Sequence, residues 1–506
     1  MASAGAVARS EVTAVASRGA TTAATRRLAQ LTFAATMLAV AAGTIREVAD
    51  PDLWWHMATG RHIVADGRIP AFDVFSFTAS SHRWVTHEWL SDLLLYGGYQ
   101  LVGLVGLGLF FTLVITAAFA LVYLRCRSKP VLAGCAVLLA ALAASPTYGV
   151  RPQMFSLLFA SLFLYILEST AGGGRRVWLL LPLTLVWANL HSGFVAGLAI
   201  IGVAAVGEEL EWLAGAGRLG GLPHRGWLAP RARQLVLVAL ACLAASLVTP
   251  NGVAAVAFPF GTLSNTPIQA SIQEWASPNF HQSLAWPLGA FWLALLGVLA
   301  ASRRRLEATQ LLLLVGASLA TMYSMRHAVF LALVGAPLLA ERAGELWPRP
   351  ERAARPASRL AQQALWVVLG LLVVAAGWRI RLAAQRSAAA ERELYPSAAL
   401  AYMREHGIDG RVFNAYHWGG YLIWQGHQVF IDGRAEVYGD EVLGEYARTW
   451  SLQPGWERTL RRHGVEAMLV EAASPLARMA EDCGHWRVAY RDGVASVLVP
   501  AATPES

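Results

Sequence analysis

The sequence predicts an all-α polytopic membrane domain of about eleven transmembrane helices, followed by a C-terminal extracytoplasmic α/β domain. The first observation is composition: of 506 residues, 56% are hydrophobic and 15% charged, against roughly 25% charged in an average soluble protein. The second is arrangement, because the mean hydropathy of +0.44 is gathered into runs near bilayer length, bounded by charge, Pro or Gly. The third is a change near Leu382, beyond which Arg and Glu return between short apolar strings. These features exclude a disordered chain, a disulfide-knotted secreted module and an ordinary cytosolic enzyme.

The elements follow in order. Residues 1–27 form a basic N-terminus with Arg9, Arg18, Arg26 and Arg27. They precede an apolar run, Leu28 to Ile45, that is longer than the 7 to 15 residues typical of a signal-peptide core and is expected to be a retained signal anchor. A first outer loop, 46–100, is much longer than ordinary helix connections. Further spans are expected at Leu101 to Leu124, Pro130 to Ser145, Gln153 to Leu167, Val177 to Asn189, Gly193 to Leu213, Gln234 to Pro250, Leu284 to Ala301, Leu306 to Tyr323, Ala328 to Ala340 and Ala364 to Ile380. The membrane domain therefore covers 28–382.

With the N-terminus cytoplasmic, every Arg-rich loop falls on the same, inner side: Arg125 to Lys129, Arg175 and Arg176, Arg218 to Arg233, Arg303 to Arg305, and Arg342 to Arg359. The net charge of +8 thus reports orientation, and a nucleic-acid partner is dropped. An odd helix count puts residues 383–506 outside. There Arg411 to Phe413, Gln428 to Asp432 and Val465 to Val470 read as strands, and about 120 residues suffice for one core. The four cysteines show no disulfide framework or CxxC pair; Cys483 stands alone in the polar region, and small apolar filler is the expected role of each.

The unusual polar residues sort to the outer side. Asp50, Asp52, His56, His87, Glu88, Arg151, Gln153, Asn189, His191, Asn251, Gln273, Glu274, Arg326 and His327 lie at outer helix ends or in outer loops. Polar groups at membrane depth are costly and usually line a cavity or polar pathway, so one outward-open site is expected. Its sharpest element is Asp50-Pro51-Asp52-Leu53-Trp54-Trp55-His56. Two carboxylates so close suit a divalent cation, magnesium or manganese, or a general base; a solvated helix cap is the plainer alternative. The Glu88 motif is not a zincin, because Ser91 stands where HExxH needs its second His.

Arg151-Pro152-Gln153 and Arg326-His327 place fixed cations where a phosphate would bind, with snorkelling to headgroups as the alternative. His56, His87, Glu88, Gln153, Asn189 and His191 are supporting candidates. In the C-terminal domain, Trp418-Gly419-Gly420-Tyr421 and Asp432-Gly433-Arg434 are candidate acceptor-side positions, or a structural turn with an internal salt bridge.

These residues resemble the GT-C superfamily of membrane glycosyltransferases, which includes protein mannosyltransferases, aminoarabinose transferases and oligosaccharyltransferases. In that superfamily an acidic residue or pair just beyond the first helix is catalytic or metal-binding, and Asp50 and Asp52 occupy that place. The chain also resembles a bacterial multi-pass group sharing Asp50 to His56, His87-Glu88-Trp89-Leu90, Arg151-Pro152-Gln153, Trp187 to His191 and Asp432-Gly433-Arg434, with no substrate implied. The Trp418 to Tyr421 stretch is loosely similar to the Trp-Trp-Asp-Tyr-Gly signature of oligosaccharyltransferases but lacks its central acid.

The resemblance implies an inner-membrane transferase that takes sugar from a polyprenyl-phosphate donor and delivers it to a glycan, lipid or protein acceptor of the envelope. Asp50 or Asp52 would be base or metal ligand, and Arg151, Arg326 and His327 would bind the donor phosphate. A transporter or flippase for an anionic lipid or glycan, and a noncatalytic assembly protein, are the rival classes.

Overall fold

A computed structural model describes residues 2–218, 228–264, 275–347 and 359–501. The membrane body comprises α1 (Ala2–Thr44), α2 (Asp52–Asp66), α3 (Trp89–Arg125), α4 (Pro130–Ala144), α5 (Gln153–Ser169), α6 (Leu180–Leu190), α7 (Phe194–Arg218), α8 (Pro230–Ser246), α9 (Val253–Ser264), α10 (Trp286–Ala301), α11 (Ala308–Tyr323), α12 (Ala328–Leu346) and α13 (Arg359–Glu393). Helix α3 shows how these residues choose their faces. Leu107, Phe111, Ile115, Ala118, Phe119 and Val122 recur three or four apart and are buried against neighbouring helices. Leu101, Leu113 and Leu124 point outward, where a bilayer replaces water as solvent.

Among the described residues, four helices are long and apolar enough to cross a membrane: Trp89–Arg125, Pro130–Thr147, Ser283–Ala301 and Arg359–Glu393. Gln153–Ser169 and Ala308–Tyr323 are apolar but shorter. Length and composition therefore establish a membrane protein with four spans of full length among the described residues, where several of the other expected spans are shorter helices. The physical reason is rise per residue: the 11 residues of α6 reach only about 16 Å, against a hydrocarbon core of about 30 Å.

The C-terminal part adds α14 (Ser397–Glu405), β1 (Val412–Asn414), α15 (Gly419–Trp424), α16 (Ala435–Trp450), α17 (Trp456–Arg462), β2 (Ala467–Glu471), α18 (Pro475–Asp482), β3 (Trp486–Arg491) and β4 (Ala495–Pro500). The sheet order is β1-β2-β4-β3, with β1 parallel to β2 and the other pairs antiparallel. Val412, Phe413, Met468, Leu469, Val497 and Leu498 are buried along it. The expected strand at Gln428 to Asp432 is instead an extended segment that pairs outside the sheet.

That segment fastens the connection between α2 and α3, part of the expected first outer loop, to the C-terminal domain. Val429 N–H donates to the Phe75 carbonyl at 3.1 Å, Phe77 N–H donates to the Val429 carbonyl at 3.2 Å, and Thr78 Oγ1 donates to the Phe430 carbonyl at 2.6 Å. Helix α15 packs on α2, and Arg61 both donates to the Trp424 carbonyl at 2.8 Å and lies 4.4 Å from that indole's centre. The loop and the C-terminal domain share one packed interface, so α2 and its acids are held from both sides.

Candidate active site

Helix α2 begins at the acidic pair because Pro51 presets a helical φ of −65° just ahead of it. Asp50 Oδ1 accepts the Asp52 N–H at 3.0 Å, while Asp50 Oδ2 forms an ion pair with Arg151 Nε. Asp52 Oδ1 accepts Trp55 Nε1–H at 3.2 Å, one turn along the same helix. A cavity of about 230 Å³, lined by Thr44, Arg46, Asp50, Thr112 and Tyr148 among others, lies beside the pair. Arg46 holds one wall by donating to the Tyr148 carbonyl at 3.2 Å and the Ser145 carbonyl at 3.1 Å.

The C-terminal domain reaches the pair through Gly433. A Cβ there would overlap Asp52 Oδ1 and come within 3.3 Å of Trp55 Nε1. Only glycine lets this backbone approach the carboxylate so closely. Gly433→Ala is therefore expected to displace Asp52 and lower activity on the order of 10²-fold, as misplacement of a reacting group by about 1 Å does. Circular dichroism and chromatographic behaviour should match the native chain; full activity in this variant would show that the position of Asp52 is immaterial.

One turn deeper, Glu88 is surrounded by three imidazoles. Its Oε2 faces His56 Nε2 at 3.8 Å, and its Oε1 faces His87 Nε2 at 3.7 Å and His191 Nε2 at 3.4 Å. Each ring is oriented from behind. His56 Nδ1 lies 2.6 Å from Asp92 Oδ1, and His87 Nδ1 lies 3.1 Å from the Val85 carbonyl, so His87 puts its proton on Nδ1 and turns a lone pair to Glu88. His191 is the reverse: its Nδ1 accepts from Gly193 N–H and from Ser156 Oγ, each at 2.8 Å, which leaves the proton on Nε2. Trp187 Nε1 donates to Ser156 Oγ at 2.7 Å and fixes that hydroxyl's direction.

Burial pushes the Glu88 carboxyl up to about 7, although the positive fields of Arg326 and Arg151 oppose the rise. Burial likewise lowers His56 and His191 well below the usual imidazole range, helped by neighbouring positive groups, and lowers His87 against the opposing charge of Glu436. Neutral imidazoles therefore surround a carboxyl that can exchange a proton near neutral pH.

Arg326 Nη2 donates to Gln153 Oε1 at 3.1 Å, and its guanidinium lies 5.4 Å from the centre of the Trp275 ring. The ring of His327 meets Trp275 edge-on at 6.2 Å. Asn189 faces no open space: its Oδ1 accepts Trp89 Nε1–H at 2.9 Å, and its amide donates to the Leu185 and Val248 carbonyls. It ties α6 to the start of α3. Gln273 and Glu274 lie outside the described residues.

The structure thus joins Asp50, Asp52, His56, His87, Glu88, Arg151, Gln153, His191 and Arg326. The C-terminal candidates lie beside it, buried in structural contacts. Trp418 is buried and donates to the Leu394 carbonyl at 2.7 Å, and buried Tyr421 stacks on Tyr395 at 4.8 Å and donates to Glu391. Asp432 and Arg434 are fully buried. Arg434 Nε and Nη2 reach the two Asp432 oxygens at 2.8 and 2.6 Å, and Nη1 reaches Asp73 Oδ1 at 2.8 Å. Tyr438 also donates to Asp432, and the guanidinium lies 4.5 Å from the centre of the Trp84 ring. Asp432-Gly433-Arg434 forms an internal clamp on the connection between α2 and α3, the structural salt bridge that was one of its two expected readings.

Three residues were not singled out from sequence. Asp92 stands four residues after Glu88, a helical spacing that signals a shared face. Asp73 gave no local signal, since its partner is 361 positions away. Glu436 is solvent-exposed, yet surrounding protein raises its carboxyl, with His87 opposing and Glu88 reinforcing the shift. It therefore borders the same recess from the C-terminal side.

As metal ligands, Asp50 and Asp52 bring no third His, Cys or carboxylate ligand atom within 4.8 Å among the described residues, and one Asp50 oxygen is engaged by Arg151. A cation held by this pair would draw its remaining ligands from water and donor phosphate, and no step below uses one.

No protein-family model matches the chain, and no curated protein matches it in sequence. Among solved structures it is similar to the archaeal oligosaccharyltransferase AglB from Archaeoglobus fulgidus in complex with an inhibitory peptide and a dolichol-phosphate, with a TM-score of 0.55 at 12% identity over 88% of this chain and 69% of that one. The chain has a GT-C fold. The same archaeal enzyme in complex with Zn and sulfate matches the GT-C fold of this chain with a TM-score of 0.53 at 11% identity, over 87% of this chain and 68% of that one. ArnT from Cupriavidus metallidurans bound to undecaprenyl phosphate aligns with a TM-score of 0.47 at 12% identity, over 93% of this chain and 97% of that one.

Proposed function

We propose that this chain is an integral membrane glycosyltransferase that moves a sugar from a polyprenyl-phosphate-linked donor to an envelope acceptor at the outer face of the membrane. The observation that carries the reading is the Asp50–Arg151 ion pair beside Asp52, together with a near-neutral Glu88 carboxyl on which both Arg151 and Arg326 act, in a GT-C fold. The orientation follows the basic loops: N-terminus in the bacterial cytoplasm, C-terminal domain outside, about eleven spans between them.

Glycosyl transfer needs a base for the acceptor proton and cations for the phosphate that departs with the bonding electrons. Glu88 takes the acceptor hydroxyl proton as the new glycosidic bond forms. The Asp50 and Asp52 carboxylates orient that hydroxyl, and the cavity beside Asp50 leaves room for it. Arg326, with Arg151 held in place by Asp50, offsets the negative charge that gathers on the phosphate as the old bond breaks. His56, His87 and His191 keep Glu88 in a neutral, desolvated shell and set its affinity for the proton.

The test is sugar transfer by purified, detergent-solubilised protein supplied with a panel of polyprenyl-phosphate sugars. Asp50→Asn and Asp52→Asn should each lose on the order of 10²-fold in transfer, the scale of a misoriented reacting group. Chelator should leave the native rate intact, and a rate restored only by added magnesium or manganese would turn the acidic pair into metal ligands. Unimpaired transfer by both variants would remove the acidic pair from the reaction, and consumption of no donor by the native chain would sink the transferase reading itself.

A further inference from the structure

Far along the chain from the recess, the C-terminal domain gathers three side chains of different chemistry. Cys483, expected from sequence to be isolated filler, lies with its Sγ 3.6 Å from Glu457 Oε1, and His485 Nδ1 lies 2.8 Å from the same oxygen. All three ligand atoms fall within 4.8 Å of one another, the one such His, Cys and carboxylate group among the described residues.

We propose that Glu457, Cys483 and His485 form a binding site for a borderline transition-metal dication, zinc above all, on the outer α/β domain. Tetrahedral zinc with bonds of about 2.3 Å to sulfur and about 2.0 Å to nitrogen or oxygen separates a sulfur and an oxygen ligand by about 3.5 Å. The Cys483 to Glu457 distance of 3.6 Å already matches that edge. Nitrogen and oxygen ligands sit about 3.3 Å apart, so the His485 side chain has to withdraw by about half an ångström. That movement is open to it, because the imidazole is 67% exposed.

The local backbone prepares the set. Gly484 takes a φ of +73°, and this left-handed residue turns Cys483 and His485 toward the start of α17, where Glu457 projects. Arg461 occupies Glu457 Oε2 at 3.2 Å, which leaves Oε1 as a single ligand atom. Soft sulfur and borderline imidazole select zinc, cobalt or copper over magnesium or calcium. Three protein ligands leave one position for water, and binding displaces the thiol proton to solvent. The metal would join α17, the end of α18 and the entry to β3.

The test titrates the full-length protein in detergent, freed of reductant under nitrogen, with cobalt(II) as the probe, followed by zinc. The expected result is one equivalent of cobalt bound, with a thiolate-to-cobalt charge-transfer band that zinc abolishes. Cys483→Ser should remove the band, and His485→Ala should weaken binding at least about tenfold while Asp52→Asn leaves it unchanged. A native chain without the band, or a band that persists in Cys483→Ser, would leave only a His485–Glu457 hydrogen bond and overturn the proposal. Neither result bears on sugar transfer, which is measured separately.

Discussion

Replacing Arg434 with methionine is expected to lower the unfolding free energy by about 3–5 kcal/mol, the cost of leaving a buried charge without its partner. Arg434 is fully buried, binds Asp432 through two nitrogens and reaches Asp73 with a third. Burial alone would lower its pKa, but the Asp432 carboxylate more than reverses this and holds the guanidinium charged. Methionine fills much of the same volume and removes all three contacts, so Asp73 and Asp432 remain buried with uncompensated charge. Denaturant titration followed by tryptophan emission should report the loss, with Trp84 against the guanidinium as a local reporter. Combining Arg434→Met with Asp73→Asn and Asp432→Asn should recover part of it, because replacing every charge of a buried network is often neutral. A single variant as stable as the native chain would mean that the clamp does not join the first outer loop to the C-terminal domain.

The second large effect is expected at Glu88. With a carboxyl pushed up to about 7, the basic form fades as pH falls through 7, and kcat/KM should drop about tenfold per unit below that value. Glu88→Gln should lose about 10²–10⁴-fold in transfer and flatten that limb. Stability should move the opposite way. The folded protein holds the Glu88 proton more tightly than the unfolded chain, so this group's contribution is present below the ordinary carboxyl value of 4.5 and is lost as pH rises to about 7. The depressed imidazoles act with reversed sign: they favour the folded state above 6.5 and lose that contribution as pH falls. Glu88→Gln with a native rate profile would transfer the base to another residue.

Much of this arrangement was legible because hydropathy and charge are local quantities. An apolar run between arginines seeks a bilayer whatever its tertiary partners, so the positions of α3, α10 and α13 could be read directly. The expectation that Asp50, Glu88, Arg151, His191 and Arg326 share one side of the membrane followed from the same alternation. Short helices such as α6 blurred the count, because a run interrupted by its own cap no longer has bilayer length. Asp432 and Arg434 left two readings open for a related reason: a charged Asp-Gly-Arg turn reads alike as an exposed edge and as a buried salt bridge until its third partner is known. Glu88 stood among supporting residues, since its raised proton affinity comes from burial that no neighbouring residue in the chain announces.

The sequence by itself determined that this is a membrane protein with a C-terminal α/β domain and a set of polar groups between its apolar runs, because each follows from residues a few positions apart. Only the tertiary structure decided which of those groups face one another. Arg434 with Asp73, and Gly433 against Asp52, are contacts across most of the chain. Contacts of that kind are selected by packing and by the energy of burying charge, which operate once the helices and the outer domain have come together.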